Sequence, residues 1–436
     1  MEEKIELLKS ILKELHRGAS VDELKERFRE VLSKVSPIEI PFIEQQLIRE
    51  GVRVEDILKL CDLHVALFRE ALESRELSGV SEGHPVDLLV RENEWLMKQA
   101  EILGLYASQL MNTDDLGQAL NILKTMTRIT GELRKVKIHY RKVQMLIFPY
   151  LEKRGVSAIP RVLWGREDQV IVKLRKFYEK AVKAIENRTL ELAREAGKIA
   201  MEISKEIGEL IFRENKILYP TVYALFDESE WATIYYESNK IGWLIDTSSF
   251  KWKPSVEPKY PYMIKPIVTP EQLAKLPVEV KNILEKSGIT PDTYEIKKEN
   301  DIVLETGFID KEELEGLLRA LPVEITFANK DHRVRMFSES MFHKGFLRTK
   351  TIIGRKLEYC HPPRLEPLVK KVAREILSGE KPYRVFWTKV GDRTIRVLIA
   401  PVKNRDGEII GVVELVEDMT DIINNVEEIK KSIMVL

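Results

Sequence analysis

The stretch HYRKVQMLIFPYL, residues 139–151, decides how the middle of the chain is read. A histidine a few residues ahead of a long apolar run that ends in an aromatic–proline pair is the pattern of a helix lining a metal-binding bundle, because residues i and i+4 project from one helical face. The position four residues on, where a carboxylate partner would sit, is Val143. A second stretch, LIFRENKILYPTV at 210–222, echoes the first, with Tyr219-Pro220 in the place of Phe148-Pro149. The two stretches are read as helices that are internal counterparts.

Working outward, 436 residues should hold about two to four domains. Lysine plus arginine equals aspartate plus glutamate at 70 each, so no global charge draws the chain to nucleic acid or to an anionic membrane. The two cysteines, Cys61 and Cys360, cannot form a disulfide framework and point to a reducing, cytoplasmic setting. No apolar run reaches the roughly 18 residues of a spanning helix, and the start MEEKIELLKS is charged rather than apolar, so the protein is read as soluble and cytosolic.

Residues 1–76 are read as a small helical domain. Ser20 with Glu23, and Ser36 with Glu39, form capping-box patterns, and Gly18 and Gly51 end the helices before them. Residues 80–242 carry long helical periodicity suited to an antiparallel bundle, and 243–309 form a mixed connecting segment in which Thr269-Pro270 and Thr290-Pro291 resemble helix starts. From Asp310 the pattern turns to β-rich runs, VEITFA, HRVRMF, YRVFWTKV, TIRVLIAPV and IIGVVELV, with a turn in NRDGEIIG and helical pieces between the second and third, so 310–421 is expected to be α+β. Residues 422–436 are read as a C-terminal helix whose Ile422, Val426, Ile429, Ile433 and Leu436 make an a/d seam, for a second copy or for its own domain.

The ordered segments LKELHRGASVDELKERFREVL, GHPVDLLVREN, HYRKVQMLIFPYLEKRG, ENKILYP, ITFANKDHRVRMFSES, GRKLEYCHPP and NRDGEIIGVVELVEDMTD resemble a prokaryotic family. That family joins a helical N-terminal domain of unknown function to a hemerythrin-like cation-binding domain and a C-terminal PAS domain. The resemblance implies a multidomain, mainly α chain: a helical N-terminal domain, a hemerythrin-like four-helix bundle, and an α+β PAS domain with a five-stranded antiparallel sheet around a pocket.

In hemerythrin-like bundles, helices of the kind at 139–151 carry His-x-x-x-Glu pairs for a di-iron centre, and here the set is split. His139 stands without its glutamate, and Glu214 stands with Leu210 in place of its histidine. Gln144 lies near a position where glutamate is usual, and Asp87 where a second histidine often stands. Further candidates are His84, ahead of Asp87, Glu92 and Glu94, and Glu167 or Asp168. The expected metal set is His84, His139, Asp168 and Glu214, holding fewer than two ions of iron, manganese or another divalent metal; the alternative is buried groups that bond to one another and hold helices in register.

In the PAS region, Cys360 and His361 fall where a ligand is usually gripped and are candidate axial ligands for haem or contacts for another small molecule; packing and a helix start are the alternative. His332 and His343 read as surface or loop residues, Cys61 and His64 as packing residues on one helical face, and His16 as a helix C-terminal residue. No nucleotide-binding glycine loop, nucleophilic triad or zinc-spaced cysteine cluster occurs. The expected function is a cytosolic sensor of a gas, redox state or small ligand, more regulator than enzyme, whose output passes to a protein partner or through a homodimer, with no nucleic acid or membrane partner. The alternatives are a non-haem metalloprotein handling oxygen, nitric oxide or peroxide, and a scaffold with a vestigial metal site.

Overall fold

Helix α1, Val21–Leu32, begins where Ser20 accepts the Glu23 N–H at 3.2 Å, the hydrogen bond the capping pattern predicts. The computed structural model describes residues 7, 10, 11, 13, 14, 17–32, 47, 50–52, 77–266, 290–342 and 346–433. The Ser36 capping pattern, His16, Cys61, His64, Thr269-Pro270, His343 and Leu436 lie outside them. Two compact units divide the chain, Met1–Tyr294 and Glu295–Leu436.

Four long helical arms make the bundle of the first unit. The first is α2, Pro85–Met111; the second is α3, Leu116–Leu133, continued by α4, Val136–Lys142, and α5, Phe148–Lys153. The third is α6, Ala158–Asn187; the fourth is α7, Leu190–Arg213, continued by α8, Tyr219–Leu225, after which α9, Glu228–Ile241, closes one end. Each apolar stripe faces the others: Leu89, Leu96, Ala100 and Leu103 of α2 are buried, as are Val170, Leu174, Phe177 and Ala181 of α6.

The second and fourth arms share an irregularity. Val143–Ile147 and Glu214–Leu218 are π turns, closed by the Phe148 N–H on the Val143 carbonyl and the Tyr219 N–H on the Glu214 carbonyl. The cause is the proline one residue later. Pro149 and Pro220 have no N–H to give and crowd the carbonyl four residues back, so the ladder shifts by one residue before the helix resumes. The pair of π turns bears out the internal repeat.

In the second unit, β1, Ile302–Leu304, and β2, Gly307–Ile309, form a separate hairpin, and α10, Lys311–Ala320, starts on a capping box of Asp310 and Glu313. Neither element was expected from the sequence, and Thr290-Pro291 starts no helix. The five strands of the main sheet are β3, Glu324–Asn329; β4, Val334–Phe337; β5, Arg384–Val390; β6, Arg393–Lys403; and β7, Ile409–Asp418. They answer to the five β-rich runs and run antiparallel, in the order β4-β3-β7-β6-β5. Helix α11, Glu366–Leu377, buries Val372, Ala373 and Ile376. The tail is two short helices, α12, Thr420–Asn424, and α13, Val426–Ser432, broken at Asn425 rather than continuous. Its seam residues Ile422, Val426, Ile429 and Ile433 are exposed.

Candidate functional sites

Each arm of the bundle sends a histidine or a glutamate into its centre. Glu92 comes from α2, His139 from α4, Glu167 from α6 and Glu214 from the π turn after α7, and none is more than 1% exposed. Both imidazole nitrogens of His139 face carboxylates: Nδ1 lies 2.7 Å from Glu92 Oε2, and Nε2 lies 2.9 Å from Glu214 Oε2. Lys142, one turn beyond His139, donates from Nζ to Glu92 Oε1 at 2.5 Å and to the Gly242 carbonyl at 2.8 Å. The Leu244 N–H also bonds to Glu92 Oε1, at 2.7 Å, and Trp243 lies under the Lys142 ammonium, so the chain leaving the bundle is tied to the same carboxylate. Tyr219 and Asn93 donate to Glu214 Oε2, at 3.0 and 2.8 Å, and Gln144 donates to Glu167 Oε2 at 2.5 Å.

The electrostatics follow from burial and these contacts. Burial alone would lower the His139 pKa, but the carboxylates of Glu214 and Glu92 outweigh it and hold the imidazolium with a pKa of about 9. Burial, reinforced by Glu214, pushes Glu167 up to about 8 against the Gln144 hydrogen bond. Burial also opposes ionisation of Glu92, yet His139 and Lys142 hold its carboxyl below the usual range, while Lys142 itself is lowered by its own burial.

Of the predicted metal set, His139 and Glu214 come together. His84 does not join them: it caps α2, accepting the Val86 N–H at 3.2 Å, and lies edge-on to Tyr223, Trp231 and Trp252, where burial lowers its pKa to about 4. Asp168 is exposed, and its neighbour Glu167 takes the inward position. Asp87 pairs with Arg91 at 3.0 Å, near the surface.

A two-ion centre does not fit this donor set, which has one histidine. A single ion fits better. The buried oxygens Glu167 Oε1 and Asn93 Oδ1 have no hydrogen-bond partner among the described residues, and such acceptors suit a cation. The ligand atoms do not yet converge; among the described residues three come within 4.8 Å of one another at Asp301, Asp310 and Glu313. There the Lys298 ammonium already stands 2.6 Å from Glu313 and 3.5 Å from Asp310.

The second unit holds a cavity of about 580 Å³ lined by the concave face of the sheet, α11 and the Leu357–Cys360 turn. Cys360 and His361 both line it. Burial raises the Cys360 pKa, away from thiolate, while His361 donates its Nδ1 hydrogen to the Leu357 carbonyl at 2.9 Å, which fixes the ring and points Nε2 the other way. The polar groups that the sequence reading missed are Thr326, Arg348, Arg355, Thr388 and Glu414. His332 sits in the turn between β3 and β4 with φ of 58°.

Comparison with known proteins agrees with this architecture. Residues 8–74 match a family of unknown function (DUF438), 84–222 a hemerythrin HHE cation binding domain and 314–420 a PAS domain. Among solved structures, a C-terminal domain from Streptococcus mutans is 29% identical, covering 29% of this chain and 98% of that one with a TM-score of 0.28. A sensory box sensor histidine kinase from Vibrio cholerae is 19% identical, covering 24% of this chain and 88% of that one with a TM-score of 0.19. No curated protein matches the chain. Among the described residues no helix is long and apolar enough to cross a membrane.

Proposed function

For a chain that joins a DUF438 segment, a hemerythrin HHE cation-binding domain and a PAS domain in that order, we propose a sensor whose signal molecule occupies the cavity between the C-terminal sheet and α11. The observation that carries this reading is the cavity itself. Its volume of about 580 Å³ suits a small organic molecule, and its walls are apolar with a few polar groups, the usual make-up of a ligand site. The combination of a PAS domain with a hemerythrin domain supports a sensory or regulatory role, and the output then passes to a protein partner or to a second copy through the exposed residues of α12 and α13. Native mass spectrometry of gently purified full-length protein tests the reading, beside an Ala373→Phe variant that fills the cavity. A small molecule released from the natural protein and absent from the variant supports it; equal release from both would sink it. A haem would announce itself in the absorption spectrum of the same sample, with His361 rather than Cys360 as the axial residue, because the Leu357 carbonyl orients its ring.

The orphaned Glu167 oxygen favours a second reading for the bundle: one divalent cation held by His139 Nε2, Glu214 and Glu167. Glu92 would accept the Nδ1 hydrogen of His139 and keep the ring oriented. Such an ion, when bound, supplies Lewis-acid or redox chemistry. The chain's own contribution is a water-poor centre and two protons, on His139 and Glu167, that must leave to free the ligand atoms. Elemental analysis of protein purified without oxygen should find about one iron or manganese per chain, lost in His139→Ala and Glu167→Gln. Equal metal content in all three proteins would contradict the assignment.

A further inference from the structure

The floor of the cavity in the second unit is not uniformly apolar. On the concave face β3 presents Glu324, Thr326 and Ala328, each buried, and β7 presents Val412, Glu414 and Val416. Thr326 and Glu414 stand directly opposite each other in the antiparallel ladder, so their side chains are neighbours on the same face. Thr326 is 6% exposed, and its Oγ1 has no hydrogen-bond partner among the described residues. A buried hydroxyl left without a partner is costly, and one that lines a cavity is a group awaiting a ligand. Glu414 gives Oε1 to Arg348 Nη2 at 2.7 Å, while Arg348 Nη1 bonds to Glu324 Oε2 at 2.6 Å. One guanidinium thus answers two carboxylates, and Glu414 is the one carboxylate among the residues that line the cavity, its second oxygen left to face a ligand. The rest of the wall, including Leu365, Leu368, Val369 and Phe386, offers apolar contact.

Resting on the cavity reading above, we propose that the ligand is a largely apolar molecule, neutral or cationic, that presents an N–H or O–H donor to Glu414 and Thr326. A carboxylate placed against Glu414 would meet it head-on, so this part of the floor selects for donors. Arg355, which lines the cavity away from any carboxylate partner among the described residues, offers a place for a ligand acceptor.

A matched pair of probes with one apolar body and opposite heads, 2-naphthylmethylamine and 2-naphthoate, tests this by calorimetric titration of the full chain. The amine should bind about tenfold or more tightly than the carboxylate, the value expected of a hydrogen bond to a charged group. Thr326→Val, which keeps the shape and removes the hydroxyl, should weaken amine binding, and Glu414→Gln should abolish the preference; circular dichroism confirms that both remain folded, and Thr326→Val carries the test if Glu414→Gln does not. Carboxylate binding as tight as amine binding, or a preference unchanged in Thr326→Val and Glu414→Gln, overturns the donor assignment while the cavity reading stands. Binding that is the same in Ala373→Phe as in the natural chain, or no binding of either probe, overturns both.

Discussion

At the scale of single residues, His139 bridging two buried carboxylates makes the bundle respond to pH. Its folded pKa of about 9 lies above the ordinary histidine value, so its stabilising contribution is complete below about pH 6.5 and is lost as pH rises through 9. Glu167, raised to about 8, acts in the same direction, because the folded protein keeps a proton that the unfolded chain releases. Metal-free protein should therefore lose resistance to urea between pH 7 and 9, and Glu167→Gln should flatten that slope. Lys142→Met should cost about 3–5 kcal/mol, because it strips a buried carboxylate of its ammonium; urea titration at pH 7 measures it. Some of this was legible. Leu163, Glu167, Val170 and Leu174 fall on one helical face, so phase alone points Glu167 inward and Asp168 outward. The roles of Lys142 and of the Gly242–Leu244 backbone were not legible, since they depend on contacts 50 to 152 residues apart in sequence.

At the scale of elements, the bundle arms are punctuated by chemistry that can be read and tested. Asp227 accepts from the Ser229 and Glu230 N–H groups and Glu230 answers the Asp227 N–H, so Asp227→Ala should destabilise α9 by about 1 kcal/mol, seen as a lower thermal midpoint. In the sheet, a Cβ at Gly411 would lie 2.3 Å from the Ala328 carbonyl and 2.5 Å from the Phe327 ring. A backbone oxygen cannot step aside, so Gly411→Ala should cost about 3 kcal/mol or more and speed hydrogen exchange in β3 and β7 while the bundle amides stay unchanged. The main strands were legible because alternating apolar residues and the NRDG turn mark them. The hairpin at 302–309 was not, since its strands are three residues each and largely exposed. The Asp310–Glu313 capping box was present in the sequence and announces α10. The tail pattern suggested one helix, but heptad spacing says nothing of the non-helical backbone that Asn425 adopts, with φ −119° and ψ 26°.

At the scale of the whole molecule, two units with separate cores carry two different kinds of site. Ligand in the cavity should slow hydrogen exchange in residues 324–416, whereas a chelator should change exchange around 139 and 214, each by linkage to its own site. The order of domains was legible from ordered motifs, but the signal was not, because function lives in a few side chains grafted on a common fold. The bundle centre shows the limit: the motif pointed to His139 and Glu214, and the contacts of both His139 nitrogens, with Glu92 and with Glu214, appear only in the folded chain. The most direct test of the sensor reading is a crystal structure of the full chain from protein purified without a denaturing step. The account predicts density for a small molecule between α11 and the sheet, in hydrogen-bond contact with Thr326 and Glu414. A cavity closed by its own side chains, with Phe386 and Leu365 packed against each other and Thr326 bonded internally, would contradict it.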